Sequence, residues 1–158
     1  MTTTIPKPPT GFQAILWRLP IWFYRLNLGW LIGERMMLLK HIGRKSGQER
    51  KAVIEVVRYD KDEDAYYVCS GFGKKSQWYQ NLTANPDVKI QVGGRKLEVH
   101  ATLLPPEQCG DEMVRYVKAH PNLANNLIQI IGHEPPENVE GYRSLAEQHL
   151  PFVKFTKR

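Results

Sequence analysis

Short strand-like segments joined by tight turns run through this chain from residue 36 to residue 104. Ala52 to Tyr59 is a clear example, because valine, isoleucine and tyrosine suit a pleated, half-buried surface. Successive hairpins of this kind are typical of a small antiparallel barrel, and the chain lacks the alternating βαβ units of a Rossmann fold. The predicted strands are Met36–His41, Ala52–Tyr59, Ala65–Ser70, Val88–Val92, Lys96–Leu104 and Phe152–Phe155.

Helical segments flank these strands. The first ends at Asn85-Pro86, because the residue before a proline is driven away from the helical conformation. The predicted helices are Gln77–Ala84, a segment from Pro105-Pro106 through Val117, Asn122–Ile131 and Glu140–His149, with a linker at His133–Asn138. With 158 residues the chain can bury a sizeable core. The sequence therefore predicts a mainly β (α+β) fold, a small barrel with flanking helices.

The turn from Gly43 to Arg50 places three cations, a hydroxyl and two glycines between two predicted strands. Glycines let the backbone turn tightly and leave its N–H groups accessible. Its arginines and Lys45 are suited to a phosphate or a polyanionic tail. The loop Gly71–Lys75 adds two lysines, and the net charge of +6 favours an acidic ligand, a nucleic acid or an anionic membrane. A solvated basic hairpin turn is the alternative.

Several chemistries are poorly supported. The basic turn lacks the residue order of a P-loop, and no Gly-x-Ser-x-Gly elbow surrounds a serine. The five histidines are scattered, without metal-ligand spacing, so no metal site is predicted. Two cysteines outside any redox motif fit a reducing cytosol, and the polar, proline-containing start does not resemble a signal peptide. We expect a cytoplasmic protein that binds an anionic cofactor carrying its own chemistry.

The segment from Phe12 to Ile32 is rich in aromatic residues and holds three of the four tryptophans. Arg18, Pro20 and Arg25 interrupt it, so no apolar run is long enough to span a bilayer. We favour a helical arm that packs on the domain or on a second subunit. An interfacial segment in peripheral contact with a membrane is the alternative. The predicted division is an aromatic arm at 1–33 and a barrel domain at 34–158.

Three blocks of the chain, in this order, resemble the deazaflavin-dependent nitroreductase family. The first reads LKHIGRKSG from Leu39, the second reads SGFGKKSQWYQNL from Ser70, and the third joins YRSL at Tyr142 to LPFV at Leu150. The resemblance runs from about Leu31 to the C-terminus. It implies a split β-barrel of the FMN-binding, pyridoxamine-phosphate-oxidase-like type. It also implies binding of reduced deazaflavin coenzyme F-420 and hydride transfer to an electron-poor acceptor such as a quinone or a nitroaromatic.

The resemblance also implies which residues meet the coenzyme. It assigns the basic turn to the phosphate and acidic tail, two strand segments to the ring system, and the start of the first helix to a position beside the ring. The lysine pair of the glycine-rich loop extends the anion site or forms a solvated loop tip, and the tryptophan is a cofactor contact or a core residue. The implied coenzyme-binding residues are Arg44, Lys45, Ser46, Arg50, Ala52, Val53, Ile54, Cys69, Ser70, Gly71, Lys74, Lys75, Gln77, Trp78 and Asn81.

Two further residues are candidates for the acceptor side of the ring. Glu55 stands where well-studied nitroreductases place an aromatic residue, so it repels an anionic ring, hydrogen-bonds a substrate or faces solvent. Tyr142 matches a C-terminal tyrosine of the family, and its phenol can hydrogen-bond a nitro or carbonyl oxygen. A core tyrosine is the alternative. The glycine-rich loop also departs from the family, because it is shorter and lacks the proline before the aromatic pair.

Two other functions stay open at this point. The same barrel could hold FMN, whose single phosphate also suits the turn from Arg44 to Arg50. A non-enzymatic module could bind RNA or anionic lipid through Lys40–Lys51. Against RNA, the basic cluster lacks the interleaved aromatic residues on which bases stack, so no nucleic-acid partner is expected. By analogy with barrels of this kind, a homodimer is expected.

Overall fold

A computed structural model describes residues 35–158 of this chain. Six strands account for the β-structure of the described residues, and the order of these strands explains how the chain reaches its site. They are β1 (Met36–Ile42), β2 (Glu49–Asp60), β3 (Ala65–Cys69), β4 (Asp87–Val92), β5 (Arg95–Leu103) and β6 (Phe152–Lys157). Four α-helices accompany them: α1 (Gln77–Ala84), α2 (Pro106–Ala119), α3 (Pro121–Ile130) and α4 (Val139–His149). A short 3-10 helix, Gly73–Lys75, precedes α1.

The strands close into an antiparallel barrel in the order β1-β2-β3-β6-β5-β4, with β4 returning to β1. Pairing of β1 with β2 places His41 opposite Arg50 and Met36 opposite Glu55. The β2–β3 ladder shifts register between Val56 and Arg58. Because neighbouring residues of a strand face opposite sides, each strand presents one set of side chains to the barrel interior and one to its outside.

The barrel interior is filled by aliphatic and aromatic side chains. Met37 and Leu39 from β1, with Val153 and Phe155 from β6, have no solvent exposure. Tyr66 and Tyr59 close one end of this core with tilted rings whose centroids lie 4.6 Å apart. Alternation along each strand therefore builds the interior from every second residue, as predicted for a half-buried sheet.

A second core lies between the helices and the outside of the barrel. Met113 of α2, Ile128 of α3 and Ala146 of α4 pack there with Phe152 of β6. Helices α2 and α4 approach closely at Gly110, where an added Cβ would lie 2.7 Å from Glu147 Oε1. Helix packing of this kind needs a small residue at the crossing, and a side chain here would push the helices apart.

The predictions of fold class and of the main elements are confirmed. The helix predicted at Gln77–Ala84 has those bounds, whereas β2 begins at Glu49 rather than Ala52 and β6 continues to Lys157 rather than Phe155. Among residues 35–158, no helix has the length and apolarity needed to cross a bilayer. The arm predicted at 1–33 lies outside the described residues, so its packing, its membrane contact and the division at 33/34 stay predictions.

Candidate functional site

The basic turn between β1 and β2 is held by its own backbone. Gly43 N–H donates to Gln48 O at 2.8 Å, and Gly47 N–H donates to Gly43 O at 2.8 Å. Ser46 Oγ accepts from Gln48 N–H at 3.2 Å. Gly47 adopts φ +70°, a conformation that favours glycine. The turn is therefore a defined structure that presents its cations to solvent.

Helix α1 fastens the first of these cations. Arg44 donates from Nη1 to Gln77 Oε1 and to Asn81 Oδ1, each at 2.9 Å, and its backbone N–H donates to the same Asn81 oxygen at 3.1 Å. Asn81 is 4% exposed, and its Nδ2 lies 3.0 Å from Nδ1 of His41, which is 3% exposed. Three residues that the resemblance assigned to the coenzyme, Arg44, Gln77 and Asn81, therefore meet in one hydrogen-bonded group.

The glycine-rich loop is fastened to the same helix. Ser70 is buried, and its Oγ donates to Gly73 O at 2.7 Å while its backbone N–H donates to Pro151 O at 2.9 Å. Gln80 Nε2 of α1 donates to Lys74 O at 3.2 Å. Helix α1 therefore carries the basic turn through Gln77 and the lysine-bearing loop through Gln80, which joins the two predicted anion-binding segments.

The cations of these two segments are available for a ligand. Lys45, Arg50, Lys74 and Lys75 are exposed. Within residues 35–158, none of them takes part in a salt bridge. By contrast, Arg58, Arg95, Arg143, Lys154 and Arg158 all pair with carboxylates. Unpaired cations gathered on two linked loops have the chemistry that a polyanionic cofactor requires.

The residues that the resemblance assigned to the ring system lie on the barrel wall. Ile54 and the half-buried Ala52 belong to the barrel core, whereas Val53 lies on the other side of β2. Trp78 is half-buried and packs against the barrel core, with its ring edge-on to Tyr79 at a centroid distance of 6.1 Å. Trp78 thus has the packing role that the sequence left open, and a contact with the coenzyme stays a prediction.

Glu55 follows Ile54 on β2, beside the end of β3 that leads into the glycine-rich loop. Val56 pairs with Val68, so Glu55 and Cys69 lie beside this pair on the helix-facing side, and both cysteines of the chain are free thiols. Burial raises the pKa of Glu55, while the charges of Arg35 and His120 lower it. Burial also raises the pKa of Cys69, and the nearby Cys109 and Glu55 charges add to this effect. This thiol is consequently not a thiolate at neutral pH.

Helix α2 and the residue that caps its C-terminus, His120, bring two polar side chains to Glu55. Burial raises the pKa of Tyr116 to about 12, and the Glu55 charge contributes to this rise. The rings of Tyr116 and His120 are tilted, with centroids 5.5 Å apart. Glu55, Tyr116 and His120, with Arg35 before β1, form what we call the acid cluster. Only Glu55 of these four was predicted as a site residue, because the others carry no motif.

Tyr142 lies one turn into α4. It is 7% exposed and packs in the helical core with Met113 and Phe152. This is the position of a core tyrosine, the alternative that the sequence left open, and contact with an acceptor stays a prediction. His41 was also missed by the sequence interpretation, although its place two residues before Gly43, inside the matched block, marks it as a neighbour of the basic turn.

Comparison with known proteins agrees with this geometry. A model of the F420H(2)-dependent quinone reductase family matches residues 16–127. An F420H(2)-dependent quinone reductase of Mycobacterium tuberculosis is 30% identical over 125 residues, which are 77% of this chain and 73% of that protein.

Solved structures with the same fold include two reductase-like or flavin-binding proteins. One is described as an F420-H2 dependent reductase, with a TM-score of 0.53, 22% identity and coverage of 78% of this chain and 95% of that one. Another is a pyridoxamine 5'-phosphate oxidase-related, FMN binding protein of Nostoc punctiforme, with a TM-score of 0.54, 8% identity and coverage of 96% and 83%. These likenesses confirm the predicted split β-barrel. The family match spans well over half of the sequence, and the chain belongs to the F420H(2)-dependent quinone reductase family.

Proposed function

We propose that this protein is an oxidoreductase that transfers a hydride from reduced deazaflavin coenzyme F-420 to a quinone-type acceptor. The observation that carries the proposal is the attachment of two unpaired cationic segments to one helix, by Gln77 to Arg44 and by Gln80 to Lys74. Membership of the F420H(2)-dependent quinone reductase family supports the same coenzyme and acceptor. Reduction of nitroaromatics, which the resemblance implied, is a proposed second activity of the same site.

The donor set fits a coenzyme with a long acidic tail. Arg44, Lys45 and Arg50 on one segment and Lys74 and Lys75 on the other supply five cations, more than a single phosphate requires. Exposed cations cost little to bring to an anion, because they give up only partial hydration and no existing ion pair. This excess favours coenzyme F-420 over FMN, which remains the alternative cofactor.

The coenzyme supplies the hydride when bound, and the protein supplies position and a proton. Reduction of a quinone by one hydride leaves an anionic oxygen, which must take up one proton. Glu55 is the candidate donor, because burial shifts its carboxyl toward the protonated form. Tyr116 and His120 lie close enough to Glu55 to interact with its charge. They are therefore candidates to hydrogen-bond the acceptor oxygen beside it.

Tyr142 is a second candidate, after Glu55, for a contact with the acceptor. Its side chain belongs to the core shared by α2 and α4. A phenol in this core would reach an acceptor only if its hydroxyl points out of the packing. Tyr142→Phe would slow turnover without a change in coenzyme affinity if the hydroxyl meets the acceptor, and would leave both constants unchanged if the ring only packs.

A titration compares the three candidate cofactors directly. Coenzyme F-420, FMN and FAD are added to the full chain at low and at moderate salt, and binding is followed by the quenching of cofactor fluorescence. We expect the tightest binding for coenzyme F-420, with a preference that shrinks as salt rises. Single-turnover oxidation of the reduced coenzyme by menadione then tests hydride transfer. Tighter binding of FMN, or no oxidation by menadione, would contradict the proposal.

The remaining expectations follow from the same assignments. We expect a cytoplasmic protein and no nucleic-acid partner, since the basic cluster Lys40–Lys51 lacks the interleaved aromatic residues on which bases stack. A homodimer and peripheral membrane contact through the aromatic arm stay predictions. Salt-dependent binding of single-stranded RNA or of anionic vesicles, with no coenzyme binding, would favour the non-enzymatic alternative.

A further inference from the structure

A buried amide connects the imidazole of His41 to the guanidinium of Arg44. Asn81 Oδ1 accepts two hydrogen bonds from Arg44, and Asn81 Nδ2 lies 3.0 Å from His41 Nδ1. The two Arg44 groups that meet Asn81, the backbone N–H and Nη1, are both donors, so the amide must turn its oxygen toward Arg44 and its NH₂ toward His41. Nδ1 of His41 therefore accepts, and its ring proton sits on Nε2. One amide thus couples the tautomer of a histidine to the position of an arginine.

The opposite arrangement would break this group. A proton on Nδ1 would require an acceptor and would turn the amide oxygen toward His41. Asn81 Nδ2 would then face the donors of Arg44, and two N–H groups would oppose each other. Arg50 faces His41 from β2, and Arg44 faces it through Asn81 of α1. Burial and then the Arg50 charge disfavour a positive charge on the imidazole, and they lower the pKa of His41 to about 4.

The way in which Arg44 is held leaves one edge of its guanidinium available. Both side-chain hydrogen bonds use Nη1, to Gln77 and to Asn81. Nε and Nη2 make no hydrogen bond within the part of the chain that the structure describes. These two nitrogens form the side-on fork that binds a phosphate or a carboxylate with two parallel hydrogen bonds.

We propose that His41 is a positioning residue, which through Asn81 holds Arg44 by Nη1 and so presents its Nε–Nη2 edge to an anionic group of the coenzyme. The inference rests on the proposed function for the identity of the ligand, and it adds a residue to which the sequence assigned no role. The buried pair of His41 and Asn81 orders the Arg44 side chain before the ligand binds. The entropy cost of ordering this side chain is therefore incurred during folding and not during binding.

The test compares two substitutions of His41. His41→Leu removes the acceptor, whereas His41→Asn can restore it, because its Oδ1 lies close to the place of Nδ1. His100→Leu, a change of the same kind at an exposed histidine of β5, is the matched control. Coenzyme F-420 should bind about tenfold more weakly to His41→Leu, within about threefold of wild type to His41→Asn, and normally to His100→Leu. The KM for the coenzyme should rise with the dissociation constant in His41→Leu, and both should keep their wild-type values in His100→Leu.

A second measurement reads the position of Arg44 without the coenzyme. In ¹⁵N-labelled wild type, the Arg44 amide and guanidinium protons should exchange slowly, and inorganic pyrophosphate should shift the Arg44 Nε signal. Both features should be lost in His41→Leu and kept in His41→Asn. If wild type responds to pyrophosphate but does not bind coenzyme F-420, the proposed function fails while the positioning of Arg44 stands.

Three outcomes would overturn the inference. One is slow exchange at Arg44 together with normal coenzyme affinity in folded His41→Leu. Another is a wild-type ¹⁵N spectrum in which His41 Nδ1 carries the proton, and this observation decides even if His41→Leu does not fold. A loss of affinity in both His41 variants would also contradict it, since restoration of the acceptor would then restore nothing.

Discussion

Arg58 and Glu112 join β2 to α2 through two N–H···O bonds, from Nε to Oε2 at 3.0 Å and from Nη2 to Oε1 at 2.7 Å. Glu112 is 7% exposed, and the Arg58 guanidinium also lies 4.0 Å from the centre of the Tyr67 ring. The pair fixes the helix that carries Tyr116 and ends just before His120, and both of these residues reach Glu55. The acid cluster therefore depends on a buried ion pair one turn away from it.

Glu112→Gln should test this dependence. The change removes the buried carboxylate and leaves Arg58 with its bond to Asp60 at 3.1 Å, so the free energy of unfolding should fall by about 1–3 kcal/mol. Asp111→Asn is the matched control, because Asp111 is the neighbouring carboxylate and pairs with Arg143 at the exposed surface. Its effect should stay below about 1 kcal/mol. Urea unfolding of both variants decides, and equal losses would contradict a special role for the buried pair.

Removal of the unpaired cations should weaken coenzyme binding and leave the fold intact. We expect Lys45→Ala, Arg50→Ala and the double variant Lys74→Ala/Lys75→Ala each to lose roughly 1–3 kcal/mol of binding free energy. The loss should be smaller at high salt, because exposed charges are screened. Lys96→Ala, an exposed lysine on β5, is the control. Fluorescence titration and thermal melting are measured together, and normal coenzyme affinity in all three would reduce the two loops to solvated turns.

Gly71 links the glycine-rich loop to the end of α3. A Cβ at Gly71 would lie 2.9 Å from Cγ2 of Ile131, whereas a Cβ at Gly94 would meet nothing within 4 Å. Gly71→Ala should therefore lower the free energy of unfolding by about 1–3 kcal/mol and disturb coenzyme binding, and Gly94→Ala should do neither. The double variant Gly71→Ala/Ile131→Ala removes the clashing atom. Additive effects of the two changes in a double-mutant cycle would contradict a direct contact.

The sequence predicted most of the fold because local rules decide it. Residues 77–84 formed the predicted helix between Ser76 and Asn85-Pro86, where the boundary signals are local. The first three residues of β2 were not predicted as strand, since Glu49 to Lys51 are polar and become strand only by pairing with β1. The site was predictable where motifs mark it and not elsewhere. His41 and Asn81 lie 40 residues apart, so their contact depends on barrel closure and leaves no pattern in the sequence.

Glu55→Gln should separate a proton donor from a structural carboxyl. An amide keeps the shape of the side chain but cannot supply the proton that the reduced quinone takes up, so turnover with menadione should fall about tenfold or more while coenzyme affinity stays near wild type. The free energy of unfolding should not fall along with the turnover. Because burial raises the pKa of Glu55 above its ordinary value of 4.5, the carboxylate that forms at higher pH destabilises the native state. The variant should thus be as stable as wild type or more stable at pH 8. Wild-type kinetics would place Glu55 away from the acceptor.

The stability of the protein should fall as pH drops from about 6.5 to about 4. His41 takes up a proton near 6.5 in the unfolded chain but only near 4 in the native protein, because burial and then Arg50 lower its pKa. Between these values the unfolded state binds more protons, so acid favours unfolding, and the loss from His41 is complete below pH 4. Its full size should be on the order of 3 kcal/mol. Burial and the neighbouring His149 lower the pKa of His133 in the same direction. The slope should therefore diminish, but not vanish, in His41→Asn. Urea unfolding at pH 7.0, 5.5 and 4.5 measures wild type and this variant, and an unchanged slope in His41→Asn would mean that His41 is already protonated in the native state.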